Sequence, residues 1–355
     1  MIYELTINNG IIDNRALVVH TELPKNCGIY HKTADEIENW NTNIPAVPGT
    51  MLYPLSFDFD ATCYFYILTD VFCNLAYAQK KLQFDCVYIS DENKVIYDRV
   101  AELVAKLEIN KPIVSHRDVK CEKIVAADFH KPFNFPLFDY CYPNRFVELR
   151  SYMQQLRELF MPDSKKSDLA IYISRDYKAD RSIVNEEEFI NYVREHLYPN
   201  LLVYRDYNKD TIEQQAKLFS SASTVISPFG AGLTNALFCS PDTRIIELKC
   251  RSEAPQDCYL ELFQIVEGLK HTVIFTDTFI DENRHQFYKN VSKWDRNTYY
   301  KRMREEAYHY LHFVDPEKFV EAVKSGHSYS DITDVDDLHN YVEDCCECIT
   351  QHWPS

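Results

Sequence analysis

The clearest pattern in the chain lies between residues 169 and 276, where short β-branched, apolar runs alternate with stretches whose apolar positions recur every three or four residues. Leu169 to Arg175 (LAIYISR), Leu201 to Arg205 (LLVYR), Thr224 to Ser227 (TVIS), Arg244 to Leu248 (RIIEL) and His271 to Thr276 (HTVIFT) read as five strands. Between the first two, Phe189, Ile190, Val193 and Leu197 mark one face of a helix that opens on a capping-box pair, Asn185 and Glu188. Asp210 and Glu213 cap a second helix through Ser220; Ala231 to Phe238 reads as a short third and Gln256 to Leu269 as a fourth. Such alternation predicts a parallel, doubly wound sheet with right-handed crossovers.

Upstream, Leu82 to Ile89 and Lys111 to Ser115 read as strands around a helix over Tyr97 to Leu107, so residues 1–150 are expected to form another α/β domain. Pro143 to Ser167, with the polar run MPDSKKSD, has the composition of an exposed boundary. Beyond residue 285 the chain is strongly charged and helical in pattern, over Asn297 to Phe313 and then Pro316 to Ser325. The expected organisation is therefore an α/β domain over 1–150, a Rossmann-like domain over 151–285 and a helical extension over 286–355.

A length of 355 residues fits two domains. The 38 basic and 54 acidic residues give a net charge of −16, which disfavours nucleic acid and anionic membrane surfaces as partners. With seven glycines, neither a GxxxxGK loop nor a full GxGxxG can be assembled. The first residues carry no basic, apolar leader, and the most apolar window, Cys63 to Ala78, is interrupted by Thr69, Asp70 and Asn74 and too short to span a bilayer. A soluble, cytoplasmic protein with no transmembrane segment is expected, and its twelve cysteines as reduced thiols.

Three motifs are decoys by their details. His116-Arg117-Asp118 resembles a kinase catalytic loop, but Lys123 stands where that loop needs asparagine and no glycine-rich loop precedes it. Cys345, Cys346, Cys348 and His352 lack the CxxC spacing that wraps zinc. Asp58-Phe59-Asp60 and Asp334-Val335-Asp336 fit a loose DxD pattern, which arises readily in so acidic a chain. No metal site is assigned.

The segment Ser227 to Glu247, SPFGAGLTNALFCSPDTRIIE, carries the most chemistry. Gly230-Ala231-Gly232 follows a strand and opens a helix, where a close backbone approach and unpaired N–H groups suit a phosphate. A tight turn without a ligand is the competing reading.

In its ordered motifs this stretch resembles the inverting sugar transferases of glycosyltransferase family 61. The motifs are Ser174-Arg175, Arg181, Asn185-Glu186-Glu187-Glu188, Glu213-Gln214, Pro228 to Phe238 and Ile246-Glu247-Leu248. The resemblance extends over the alternating region that carries them, about 110 residues; upstream, Tyr64 to Asp70 (YFYILTD) is a weaker match. Two positions depart from the family pattern. Phe229 stands where the glycine-rich motif usually has histidine, and Tyr66 where an upstream histidine would be.

The resemblance implies a GT-B-type α/β fold, two Rossmann-like domains facing a cleft, with the acceptor side in residues 1–150. It implies transfer of a sugar, xylose- or N-acetylglucosamine-like, from a nucleoside diphosphate donor, UDP-linked by expectation, to a glycan or glycoprotein. No cofactor and no metal are implied. Arg175 and Arg181 would hold the diphosphate, unless they serve surface ion pairs. Ser227, Phe229, Gly230, Ala231, Gly232, Leu233, Thr234 and Asn235 would form its cradle, through backbone N–H groups and the Thr234 or Asn235 side chains. Glu247 would accept from the ribose hydroxyls, or else face solvent. Asp70, a carboxylate inside an apolar helical stretch, would be the base that deprotonates the acceptor, or a hydrogen-bonded structural group. The departures at Phe229 and Tyr66 keep open an inactive nucleotide-sugar- or glycan-binding module.

Overall fold

The computed structural model describes residues 3–13, 16–19, 31–33, 44–54, 64–90, 93–116, 118–128, 145–161, 167–175, 182–183, 185–205, 209–250, 262–263, 265–279 and 311–326. The chain divides into two compact units: Met1–Asp163 with Asn208–Leu218, and Ser164–Tyr207 with Phe219–Ser355. Among the described residues each unit is built on one sheet, and both sheets are rich in parallel pairing, so the fold class is α/β.

In unit 1 a seven-stranded sheet has the order β3-β2-β1-β7-β4-β5-β6. Its strands are β1 (Tyr3–Asp13), β2 (Ala16–Val19), β3 (His31–Thr33), β4 (Ala46–Leu52), β5 (Cys86–Tyr88), β6 (Ile113–Val114) and β7 (Val119–Asp128). Strands β7, β4, β5 and β6 are parallel, while β1 pairs antiparallel with β7 along its whole length. Helix α1, in the β4–β5 connection, passes from Tyr64–Tyr66 through a π-helical turn, Ile67–Val71, into Phe72–Lys81. Helix α2 (Lys94–Lys106) starts three residues before the expected Tyr97, because the Asn93 side chain accepts from the N–H groups of Val95 and Ile96 and caps it there. Helix α3 (Arg145–Phe160) ends the unit's main segment. Leu52, Leu68, Phe72, Val87, Val100 and Leu103 are all fully buried in its core.

Unit 2 holds the sheet that the alternating pattern predicts. Strands β8 (Leu169–Ile173), β9 (Leu201–Tyr204), β10 (Ala222–Pro228), β11 (Arg244–Cys250) and β12 (Lys270–Phe279) are parallel. With β13 (Leu311–Phe313) they form the order β13-β12-β11-β10-β8-β9. The winding therefore reverses between β8 and β10, the point at which open α/β sheets bind ligands beyond the carboxyl ends of their strands.

Helix α4 (Glu186–His196) buries Phe189, Ile190 and Val193 as the spacing predicts. Its first residue is not held by the expected capping box. Asn185 makes no side-chain cap; instead its amide Nδ2 donates to the Val314 carbonyl at 2.8 Å, while its Oδ1 accepts from the Val314 N–H at 3.2 Å. At α5 (Ile212–Ser220) the capping box is Thr211 with Gln214, each side chain accepting from the other's N–H, rather than Asp210 with Glu213. Most of α5, through Leu218, belongs to unit 1. There Glu102 accepts from the N–H groups of Ile212 and Glu213, and burial outweighs those bonds and raises its carboxyl's pKa.

Leu311–Phe313, read from the sequence as helical, is an edge strand antiparallel to β12. Helix α6 (Pro316–Ser325), capped by Asp315, then sends Phe319, Val320 and Val323 into the core formed by Tyr172, Phe189, Ile226 and Ile246. Of the helix expected over Gln256 to Leu269, Leu262 and Phe263 are helical but Ile265 to Leu269 form turns, with Gly268 in the left-handed region at φ 87°; the rest of that segment, both DxD triplets and the cysteine cluster near His352 lie outside the described residues.

Candidate functional site

Residues of one strand alternate between the two faces of a sheet. Ala170 and Tyr172 of β8 and Ile246 and Leu248 of β11 belong to the core covered by α4 and α6. Ile173, Glu247 and Lys249 therefore face the other way, the side on which Ile173 meets Gly232. On that side, at the carboxyl ends of β8, β10 and β11, lie most of the residues singled out by the sequence.

Strand β8 ends in Ser174 and Arg175. The Ser174 hydroxyl donates to Glu186 Oε1 and Oε2 at 2.8 and 2.9 Å, and the Tyr172 hydroxyl donates to Oε1 at 2.9 Å. Arg205, after β9, donates to Oε2 at 3.0 Å and forms an ion pair there. Burial first, and then the Glu186 charge, push the Tyr172 hydroxyl pKa well up, so it remains a donor. Glu186 thus ties the strand end to the start of α4 and explains physically why Ser-Arg and Asn-Glu-Glu-Glu occur together. Its anchoring part was not foreseen from the sequence; the signal was a carboxylate in the first turn of a helix that follows a Ser-ending strand.

Arg175 reaches across the winding reversal. Its Nη1 lies 3.4 Å from the Phe229 carbonyl oxygen, and it occupies the space that a Cβ on Gly230 would need. The close approach, rather than the backbone conformation, is what the glycine serves here: its backbone is extended, which any residue could adopt, and a Cβ would displace the end of the Arg175 side chain. Gly232 packs so closely on Ile173 that a Cβ would stand 3.0 Å from its Cγ2.

Ala231–Phe238 is a 3-10 helix rather than the expected α-helix. Its first bond runs from the Leu233 N–H to the Gly230 carbonyl at 2.9 Å, which places the N–H groups of Ala231 and Gly232 ahead of the intrahelical ladder. Ala231 and Gly232 are partly exposed, while Leu233 through Cys239 are buried. The Thr234 hydroxyl donates to the Ala231 carbonyl at 2.7 Å, Asn235 is fully buried, and Ser227 donates to the Pro228 carbonyl at 2.7 Å. The Ser227 and Thr234 hydroxyls thus bond within the turn itself, and the backbone around Ala231 and Gly232 is its accessible part.

Glu247 is 3% exposed, so it is not a solvent-facing strand residue. His271 on β12 stands 2.9 Å from its Oε2 through Nε2, with Phe263 edge-on to the imidazole, while Oε1 is buried with no hydrogen-bond partner among the described residues. Phe229 is buried, and the Lys249 ammonium lies 5.7 Å from the centre of its ring. Lys249 and His271 were both missed by sequence reasoning. For Lys249 the signal was present, since Ile245, Glu247 and Lys249 put two charges on one face of a central strand. Arg181 lies outside the described residues.

In unit 1, Asp70 occupies the π-helical turn of α1 and is 1% exposed. Ile67, Leu68, Val71 and Phe72 around it on the helix are buried, and the Thr69 hydroxyl donates to the Phe65 carbonyl at 2.9 Å. Single π turns inside α-helices are frequent at functional sites. Tyr64 opens the helix with the Arg99 guanidinium 4.6 Å from its ring centre; burial raises the Tyr64 pKa, and the Arg99 charge opposes that rise. Tyr66, half-buried, packs edge-on against Phe65 with ring centres 5.3 Å apart.

At the winding reversal the open parallel sheet of this α/β protein brings together a guanidinium and a glycine-rich turn, with the buried Glu247 on the next strand. The family model for glycosyltransferase 61 matches residues 47–246, more than half of the chain, and the chain belongs to that family. Membership makes it a glycosyltransferase, working between a sugar donor and an acceptor. No curated protein matches the chain. Among the described residues no helix is long and apolar enough to cross a membrane.

Proposed function

We propose that the chain is an inverting, GT-B-type glycosyltransferase in which unit 2 holds a nucleoside diphosphate sugar and unit 1 supplies the base. The observation that carries this reading is the meeting of Arg175 with the Phe229–Gly230 turn at the winding reversal of the second sheet. A guanidinium there faces the charge that grows on the diphosphate as the sugar departs, and the backbone of Ala231 and Gly232 offers it N–H donors. Glu247, with Oε1 uncommitted and Oε2 held by His271, accepts from the ribose hydroxyls. Asp70 takes the proton from the acceptor hydroxyl as it attacks the anomeric carbon from the face opposite the leaving diphosphate, which inverts that centre. The donor is UDP-linked, carrying a xylose- or N-acetylglucosamine-like sugar, and the acceptor is a glycan or glycoprotein. Arg175 and the turn neutralise the leaving group without a divalent ion.

Thermal stabilisation by a panel of nucleotide sugars, followed by a transfer assay with and without chelator, tests the whole reading. One donor is expected to raise Tm, since ligand at 100 times its Kd stabilises by about 2.7 kcal/mol, and turnover should persist in chelator. Binding without turnover would instead mark an inactive module, the outcome that the loss of a hydrogen-bonding side chain at Phe229 would produce. Turnover abolished by chelator and restored by manganese would remove the metal-independent mechanism.

A further inference from the structure

We propose that Lys249 is a donor-phosphate ligand that restores, from the neighbouring strand, the cationic donor that Phe229 does not provide; this rests on the donor-site reading of unit 2. Strand β11 pairs in parallel with β10, Pro228 opposite Leu248, and the Phe229 N–H donates to the Leu248 carbonyl at 3.0 Å. Lys249 is thereby level with the glycine-rich turn and on the same face as Glu247. Its ammonium sits over the Phe229 ring, while Arg175 addresses the backbone carbonyl of that same residue. Two cations from two strands thus converge on the turn.

A lysine that is 9% exposed needs an anion, because a buried charge is costly unless it is paired. Among the described residues none pairs with it. The nearest carboxylate in sequence, Glu247, is committed to His271 through Oε2. The aromatic ring attracts the ammonium but carries no charge to neutralise it. A diphosphate bound at the turn would be that anion.

The test is calorimetric titration with uridine diphosphate and with uridine, on wild type, Arg175→Ala, Lys249→Met, Lys249→Gln and the double variant Lys249→Met/Phe229→His. Loss of a charge-assisted bond predicts a tenfold to hundredfold weaker uridine diphosphate affinity in both Lys249 single variants, with uridine affinity unchanged. Adding Phe229→His should recover part of that loss, because the imidazole returns a donor to the turn. If both Lys249 variants bind uridine diphosphate like wild type while Arg175→Ala does not, the Lys249 assignment is overturned and the donor site stands. If wild type binds no nucleoside diphosphate, or Arg175→Ala also binds normally, the donor-site reading falls and this proposal with it. If both Lys249 variants lose their near-ultraviolet circular dichroism, the lysine serves packing and the proposal is likewise overturned.

Discussion

Asp70 and Glu186 are both carboxylates on helices, one in each unit, and their surroundings differ. Glu186 accepts from two hydroxyls and a guanidinium, which fix the end of β8 against α4. Asp70 is set in a π turn whose neighbouring side chains on the same helix, Ile67, Leu68, Val71 and Phe72, are apolar and buried. A carboxylate surrounded by donors serves as a joint. Asp70 is the group to which the proposed mechanism gives chemistry, so the two carboxylates are set against each other as joint and base.

The largest effect that could break this contrast is at Asp70. Asp70→Asn keeps the size and much of the hydrogen-bonding capacity but cannot take a proton, so transfer should fall by about 10²- to 10⁴-fold with donor affinity near wild type. Wild-type turnover in the variant would move the base elsewhere, and an unfolded variant would make Asp70 a joint like Glu186. Arg175→Ala should weaken nucleoside diphosphate binding by about tenfold to a hundredfold in a folded protein. Gly230→Ala should act in the same direction, since its Cβ takes the place of the guanidinium.

Glu186→Ala should leave the Tyr172 and Ser174 hydroxyls without their acceptor. A loss of about 1–3 kcal/mol in urea unfolding is expected, with donor affinity falling as β8 loosens. An unchanged unfolding midpoint would deprive Glu186 of its structural role and erase the comparison.

The smallest effect is at Asp315, the cap of α6, whose replacement by alanine should cost about 1 kcal/mol. The Lys318 N–H, chiefly, holds the Asp315 carboxyl below the usual range. Its contribution is therefore present above the unfolded carboxyl value of about 4 and is lost as pH falls through the lower folded value. The stability difference between wild type and Asp315→Ala should start to narrow below about pH 4 and close only once pH is below the lowered folded value, and a difference that persists there would point to packing instead.

Legibility followed local physics. The five parallel strands of unit 2 could be read because each is a short apolar run bounded by turn signals, as are Ser174-Arg175 and the glycine-rich turn that end two of them. Strands β1 to β4 could not, since β1 (YELTINNGIID) mixes polar and apolar residues and is defined by its long antiparallel pairing with β7, a contact more than a hundred residues away. The family match begins at residue 47, so it extends into a unit whose motifs were faint. Asp70 was visible as an oddity in an apolar run, but the π turn that carries it was not. Lys249 and His271 gained meaning only from strand register, which brings Lys249 beside Phe229 and His271 to within 2.9 Å of Glu247.

The reciprocal amide bonds between Asn185 and Val314 join positions that leave the ribosome far apart in time. Strand β8 and helix α4 emerge early, yet Phe319 packs edge-on against Phe189 at 4.9 Å, and the Val323 carbonyl accepts from Arg244 at 3.1 Å. During synthesis the nascent second sheet must therefore wait, with β12 an open edge and one face of its core uncovered, until residue 323 has been made. A transcript truncated before α6 would yield a chain that retains Arg175, the glycine-rich turn and Glu247 in its sequence but exposes the apolar face behind them, and so becomes a client for chaperones rather than a smaller enzyme.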